Sequence, residues 1–129
     1  TDGSHLSIVL QGLSNVVGLD FDHHERRLYW LDVGAGRIER MRFDGSDRET
    51  LVSNNLGGAE GLTVDWVGRK VYWVDGYYGS IHVMELDGRY QKKLLSEHFT
   101  NGNDTYIISR PHAVAVNPKY GWLYWTDWA

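Results

Sequence analysis

One tetrapeptide pattern, Tyr-Trp-x-Asp, recurs three times in this chain and limits its fold more than any other feature. The copies are Tyr29-Trp30-Leu31-Asp32, Tyr72-Trp73-Val74-Asp75 and Tyr124-Trp125-Thr126-Asp127. Their aspartates stand 43 and 52 residues apart. Other landmarks keep the same phase. Asp22, Asp65 and Asn117 each lie seven residues before the tyrosine of their copy, and Asp44-Gly45 and Asp87-Gly88 each begin twelve residues after its aspartate. Asp2-Gly3 lies 42 residues before Asp44 and extends the period backwards. A fixed period of this length marks a repeat architecture, in which no unit buries its apolar surface alone.

Each period reads as four short strands. The first covers 18–22, 61–65 and 113–117, with Leu19 and Phe21, Leu62 and Val64, and Val114 and Val116 alternating along one face. The other face carries Asp20, Thr63 and Ala115, small or polar residues suited to the lining of a narrow channel. The second strand holds the Tyr-Trp pair and is apolar on both faces, as in a sheet covered on both sides. The third covers 37–43 and 80–86 and runs into Asp-Gly, a strong hairpin signal. The fourth covers 50–52 and 92–95, with a further copy expected at 6–10. Four-stranded units that are apolar on both faces satisfy themselves by stacking radially. The expected fold is therefore an all-β propeller of four-stranded antiparallel blades, with the aromatic pair filling the wedge between blades.

The period divides the chain into a blade end at 1–15, a blade at 16–57, a blade at 58–109 and a half blade at 110–129. Nine surplus residues in the longer interval fall at 96–104. They are polar and rich in Gly and Asn, and predict an inserted surface loop over 96–109.

Composition narrows the function. There are 13 Lys+Arg against 17 Asp+Glu, a formal charge of -4, which argues against a nucleic-acid partner. No run reaches the ~18 apolar residues that cross a bilayer, so no membrane insertion is expected of this segment. No basic-then-apolar leader stands at Thr1. Cysteine is absent, which removes thiol catalysis, zinc-thiolate sites and disulfides.

With these residues in view, the chain resembles the YWTD, or low-density lipoprotein receptor class B, repeat family. Gly61-Leu62-Thr63-Val64-Asp65-Trp66 before the motif and Arg37-Ile38-Glu39-Arg40 and Leu86-Asp87-Gly88 after it agree with that pattern. Val17-Gly18-Leu19-Asp20-Phe21-Asp22 and Tyr124-Trp125-Thr126-Asp127-Trp128 are most similar to propellers of the giant, megalin-like receptor-related proteins. Leu31 and Val74 depart from the tetrapeptide's threonine without disturbing a strand packed on two sides. The resemblance implies a six-bladed propeller of which this is about half. It implies a non-enzymatic extracellular segment of a single-pass endocytic receptor, at the cell surface and in the endosomal lumen, that binds protein ligands and releases them on acidification. Partners would be those ligands, the remaining blades and adjacent EGF-like modules. Calcium is expected only in such neighbouring modules, and no cofactor in this segment. Two other classes share the architecture: a structural basement-membrane or signalling co-receptor propeller, and a calcium-dependent propeller hydrolase.

No nucleophile elbow, phosphate-cradling loop or metal-helix motif is present. His23-His24 falls in a tight turn where side chains diverge, so no metal site is expected there. Asp32, Asp75 and Asp127 recur in every copy, which points to backbone hydrogen bonding and not catalysis. A hydrolase would need acidic residues converging from several inner strands, and only Asp20 qualifies. In a propeller the links from fourth to first strands and from second to third open on one end. There Glu60, Tyr77, Tyr78, Arg110, His112 and Trp128 are not demanded by the repeat. They mix aromatics with charge, as protein-binding surfaces do, and are the candidate ligand contacts. Bland alternatives are that Tyr77 and Tyr78 cover a blade edge, that Trp128 packs on a neighbouring blade, and that Glu60 pairs with Arg110. Related propellers commonly place Arg after the proline of this loop, whereas here His112 follows Pro111. A histidine titrates near ~6.5, between cell surface and endosome, and suits His112 to acid-dependent release. Asn103-Asp104-Thr105 is an N-glycosylation sequon in the inserted loop.

Overall fold

The computed structural model describes residues 8–96 and 98–128. Aromatic and β-branched residues in period-two alternation favour extended chain, and no helix forms among the described residues. β1 (Val16–Asp22), β2 (Arg27–Asp32), β3 (Arg37–Arg42) and β4 (Glu49–Val52) make an antiparallel sheet in sequence order. β5 (Ala59–Asp65), β6 (Lys70–Asp75), β7 (Ser80–Glu85) and β8 (Lys92–Leu95) repeat it. β9 (His98–Asn101) pairs with β10 (Asp104–Ile107), and β11 (Pro111–Asn117) with β12 (Trp122–Asp127). Between β3 and β4, Gly45 at φ 87° makes the turn, and Gly88 at φ 88° does so between β7 and β8, a backbone region closed to most side chains.

The first strands of successive repeats, β1, β5 and β11, pack side by side. Each is bulged at its entry, between Val16 and Gly18, Ala59 and Gly61, and Pro111 and Val114. Gly18 lies so close to the next blade that a Cβ there would stand 2.8 Å from the Leu62 backbone nitrogen. The tyrosine and tryptophan of each repeat point to opposite faces. Tyr29 and Leu31 reach forward to join Leu62, Val64 and Trp73 of the following blade in one buried cluster. Val74 and Ile81 likewise face Val114, Leu123 and Trp125 of the third repeat. Trp30 is buried on the opposite face, with the Arg48 guanidinium 5.2 Å from its ring. Blade one thus supplies Tyr29, and blade two Trp73, to the wedge between them.

Two expectations are corrected. The inserted segment 96–109 is not simply a loop: β9 and β10 form a two-stranded hairpin with Asn103 in its turn. The strand expected at 6–10 is not formed by residues 8–10, and residues 1–7 lie outside the described residues. Apart from these corrections, Asp20 is tied to the next blade. Its Oδ2 accepts hydrogen bonds from Thr63 Oγ1 at 3.1 Å and the Val64 nitrogen at 2.8 Å, stitching β1 to β5. Fanned blades turn the second face of a first strand toward its neighbour, where a carboxylate meets the donors it needs.

Candidate functional site

At one end of the sheets the two sets of links meet. In every repeat the backbone ties them: Val33 N donates to Asn15 O at 2.9 Å, Gly76 N to Gly58 O at 2.8 Å, and Trp128 N to Arg110 O at 3.0 Å. The repeated aspartates reinforce these ties. Asp32 accepts from the Ser14 and Asn15 nitrogens, both at 2.8 Å, and from Ala35 N at 3.0 Å. Those bonds, Ser14's foremost, hold its carboxyl below the ordinary value despite burial. Asp127 accepts from Ser109 and Arg110 nitrogens, both at 2.9 Å. Asp75 accepts from Tyr77 N at 2.9 Å and Tyr78 N at 2.8 Å. The motif aspartate is therefore a loop clamp.

On this frame Glu60, Arg110, His112 and Trp128 come together. His112 Nδ1 donates to Glu60 Oε2. The His112 ring stacks on Trp128 with centroids 3.9 Å apart and planes inclined 26°. Arg110 places its guanidinium 5.9 Å from the same indole. Glu60 therefore pairs with His112 and not with Arg110. Trp128 is 59% exposed and packs on that histidine. Tyr77 and Tyr78 meet edge to face at 4.8 Å on the adjoining loop, 79% and 60% exposed. They join the quartet through two glycines with no room for a side chain: Gly58 is crowded by Asp75 and Tyr77, Gly76 by Glu60 and the Pro111 carbonyl. The result is a solvated surface of aromatic faces around one acid, one histidine and one guanidinium. It offers a protein partner stacking area with fixed charge, and it shows no nucleophile activated by a base.

Elsewhere the site chemistry is spoken for. Among the described residues no three His, Cys, Asp or Glu side chains stand close enough to hold a metal. His23 meets Phe21 and Trp66 edge-on at 4.4 and 5.7 Å, and the backbone nitrogen of His24 donates to Asp22 Oδ1 at 2.9 Å. Sequence reasoning missed the clamps between blades: Asp20 with Thr63, and fully buried Asp22 with Arg69 at 2.9 Å. Nothing short of the tertiary register brings partners 43 and 47 residues apart together.

Two adjacent four-stranded meanders, packed face to face through their first strands with a third begun beside them, define a β-propeller. Residues 26–66 match the family model described as low-density lipoprotein receptor repeat class B. Mouse nidogen-2 is 44% identical over 45 residues, which are 35% of this chain and 3% of that protein. Human low-density lipoprotein receptor-related protein 4 is 38% identical over 53 residues, 41% of this chain and 3% of that protein. The solved nidogen/laminin complex superposes with a TM-score of 0.73 at 31% identity, covering 88% of this chain and 40% of that one. A gluconolactonase from Xanthomonas campestris superposes at 0.70 with 19% identity, covering 92% of this chain and 37% of that one, and shares the fold alone. Residues 26–66 are thus a low-density lipoprotein receptor class B, or YWTD, repeat, and the chain around them is similar to proteins that carry it. It spans only a small part of the length of the curated relatives it matches. No helix among the described residues is long and apolar enough to cross a membrane.

Proposed function

We propose that this propeller segment is a non-enzymatic protein-binding module of an extracellular receptor-related protein, and that its ligand docks on the end carrying Glu60, Tyr77, Tyr78, Arg110, His112 and Trp128. The observation that carries the reading is the exposed stack of His112 on Trp128, charged on one side by Glu60 and on the other by Arg110. Two large aromatics lie open on the next loop. Such residues supply most of the energy in protein interfaces. The reading includes acid-dependent release of the ligand in an endocytic receptor, with the His112–Glu60 pair as the place to test it. The segment needs no cofactor of its own, and any calcium belongs to neighbouring EGF-like modules. Asn103, exposed at the turn of the β9–β10 hairpin, carries an N-linked glycan in this reading.

A second reading, a structural matrix propeller, is favoured by one observation: the nidogen chain it superposes on was solved in complex with laminin. Laminin is therefore the first probe, passed over the immobilised chain at neutral pH and about one unit below the histidine value of ~6.5. The matrix reading expects binding at both pH values. An endocytic module expects laminin, if bound, to leave at the lower pH, and His112→Gln to abolish that difference. Trp128→Ala should weaken binding by roughly 30-fold, the loss of a ~2 kcal/mol anchor. Binding that survives Trp128→Ala and Tyr77→Ala unchanged refutes this face as the docking site.

A further inference from the structure

The insertion between the second and third repeats builds an element that the repeat does not call for. β9 and β10 pair without a bulge, His98 opposite Ile107 and Asn101 opposite Asp104, around a turn that Gly102 makes at φ 65°. The hairpin stands on a firm base. Ile108 follows β10 directly, is buried, and packs with Val74 and Ile81. Asp127 then clamps the Ser109 and Arg110 nitrogens. The hairpin is thus part of the link from β8 to β11, at the end that carries Arg110.

Its edges are open. Among the described residues no third strand joins β9 or β10. All four residues of β10 are exposed, Ile107 at 64%. Two short strands alone are marginal in water, and a third gives such a sheet its stability. Edge strands are usually guarded by charges, prolines or bulges, because their outward N–H and C=O groups can pair with any extended chain. The outer strands of the two blades are guarded in this way. β8 carries Lys92 and Lys93, β4 carries Glu49, and each shifts register against its inner neighbour. The outer edge of β12 is the place that β3 and β7 take in the complete blades, so the repeat already prescribes its neighbour. β10 reads Asp104-Thr105-Tyr106-Ile107, with no lysine, proline or bulge, and its one charge stands beside the turn.

We infer that β10 takes a strand from the protein ligand: an extended segment of the partner adds antiparallel to its outer edge, beside Arg110. The inference rests on the docking end proposed above and names how the partner is held there. In strand addition, main-chain hydrogen bonds give affinity and alternate side chains give specificity. Tyr106 and Ile107 are successive residues and point to opposite faces of the ribbon. The added segment therefore offers β-branched or aromatic residues on both faces, and no proline where the ladder needs an N–H. Neither a polysaccharide nor a nucleic acid can continue a β ladder, so the ligand of this edge is a polypeptide.

The test offers the whole chain a short, uncharged Thr-Val alternating peptide, and the same peptide N-methylated at alternate residues to remove its donors. Calorimetry reads affinity and amide hydrogen exchange reads the site. The unmethylated peptide should bind, slow exchange at 104–107, and lose at least about tenfold in affinity on methylation. Ile107→Lys sets a guarding charge on the exposed edge and should weaken binding by a similar factor with the melting midpoint unchanged. Trp128→Ala should leave the peptide's affinity as it is while weakening laminin, so the two readings fail separately. Laminin binding that falls with Trp128→Ala but not with Ile107→Lys keeps the docking end and overturns strand addition. Absence of peptide binding, equal affinity for the methylated peptide, protection confined to β12, or a chain that pairs with a second copy of itself through β10 each overturns it as well.

Discussion

Replacing Gly18 by alanine tests how the blades are joined. A methyl group there would stand 2.8 Å from Leu62 N and 2.9 Å from Leu62 Cβ. Comfortable contacts lie at about 3.5–4.0 Å, so something must move by more than half an ångström. The obstacle is backbone of β5, held on its far side by the ladder to β6, and it cannot swing aside like a long side chain. Overpacking of this kind costs about 1–3 kcal/mol. Gly18 does not have a positive φ, so alanine also gains about 0.4–1 kcal/mol by restricting the unfolded chain. The net expectation is a loss of about 1–2 kcal/mol. For a chain of this length ~1 kcal/mol moves the melting midpoint by roughly 3–5 °C, so the drop should be about 3–10 °C. Gly57 is the control: no atom lies within 4 Å of its Cβ position and its φ is not positive. Gly57→Ala should hold or raise the midpoint. Thermal unfolding followed by tryptophan fluorescence reads both. A Gly18→Ala chain as stable as wild type, or equal shifts in the two variants, refutes close stacking of β1 on β5.

Two further outcomes follow from buried polar groups. Asp32→Asn should cost about 2 kcal/mol in urea unfolding near neutral pH, because charged acceptors for three loop nitrogens are lost. Since the folded carboxyl titrates below its ordinary 3.8, that stabilisation is present above 3.8 and vanishes as pH falls through the folded value, so wild type and variant should converge in acid. His82 is held neutral by burial first, with Lys93 adding to the effect and Asp75 opposing it. Its contribution is present above 6.5 and is lost as pH falls below it, where the unfolded chain takes up the proton more readily. His82→Gln should flatten that part of the stability–pH curve, and identical slopes would show that His82 is not the group responsible.

Legibility varied along the chain for physical reasons. Phase alone placed the first strands at 18–22, 61–65 and 113–117, two residues short of Val16–Asp22, Ala59–Asp65 and Pro111–Asn117. The missing residues precede a bulge, which breaks the alternation that reveals a strand. The 96–109 insertion misled through its polarity. Gly102-Asn103 makes the two-residue turn, but Tyr106 and Ile107 are adjacent and so give no period-two alternation, and β10 is exposed along its length. Glu60, Arg110, His112 and Trp128 were singled out because the repeat does not require them. Their mutual arrangement was not legible, since Glu60 and His112 are 52 residues apart and meet only through the stacking of two blades.

Local alternation and a repeated phrase, both carried by neighbouring residues, were enough to determine that this chain makes four-stranded blades and in what order. The tertiary structure alone decided what each polar group reaches. Asp20 turns to Thr63, and Glu60 to His112 instead of Arg110. Those choices depend on the angle and spacing between sheets. Sheet spacing is set by summed packing over dozens of side chains, and no short stretch of sequence encodes it.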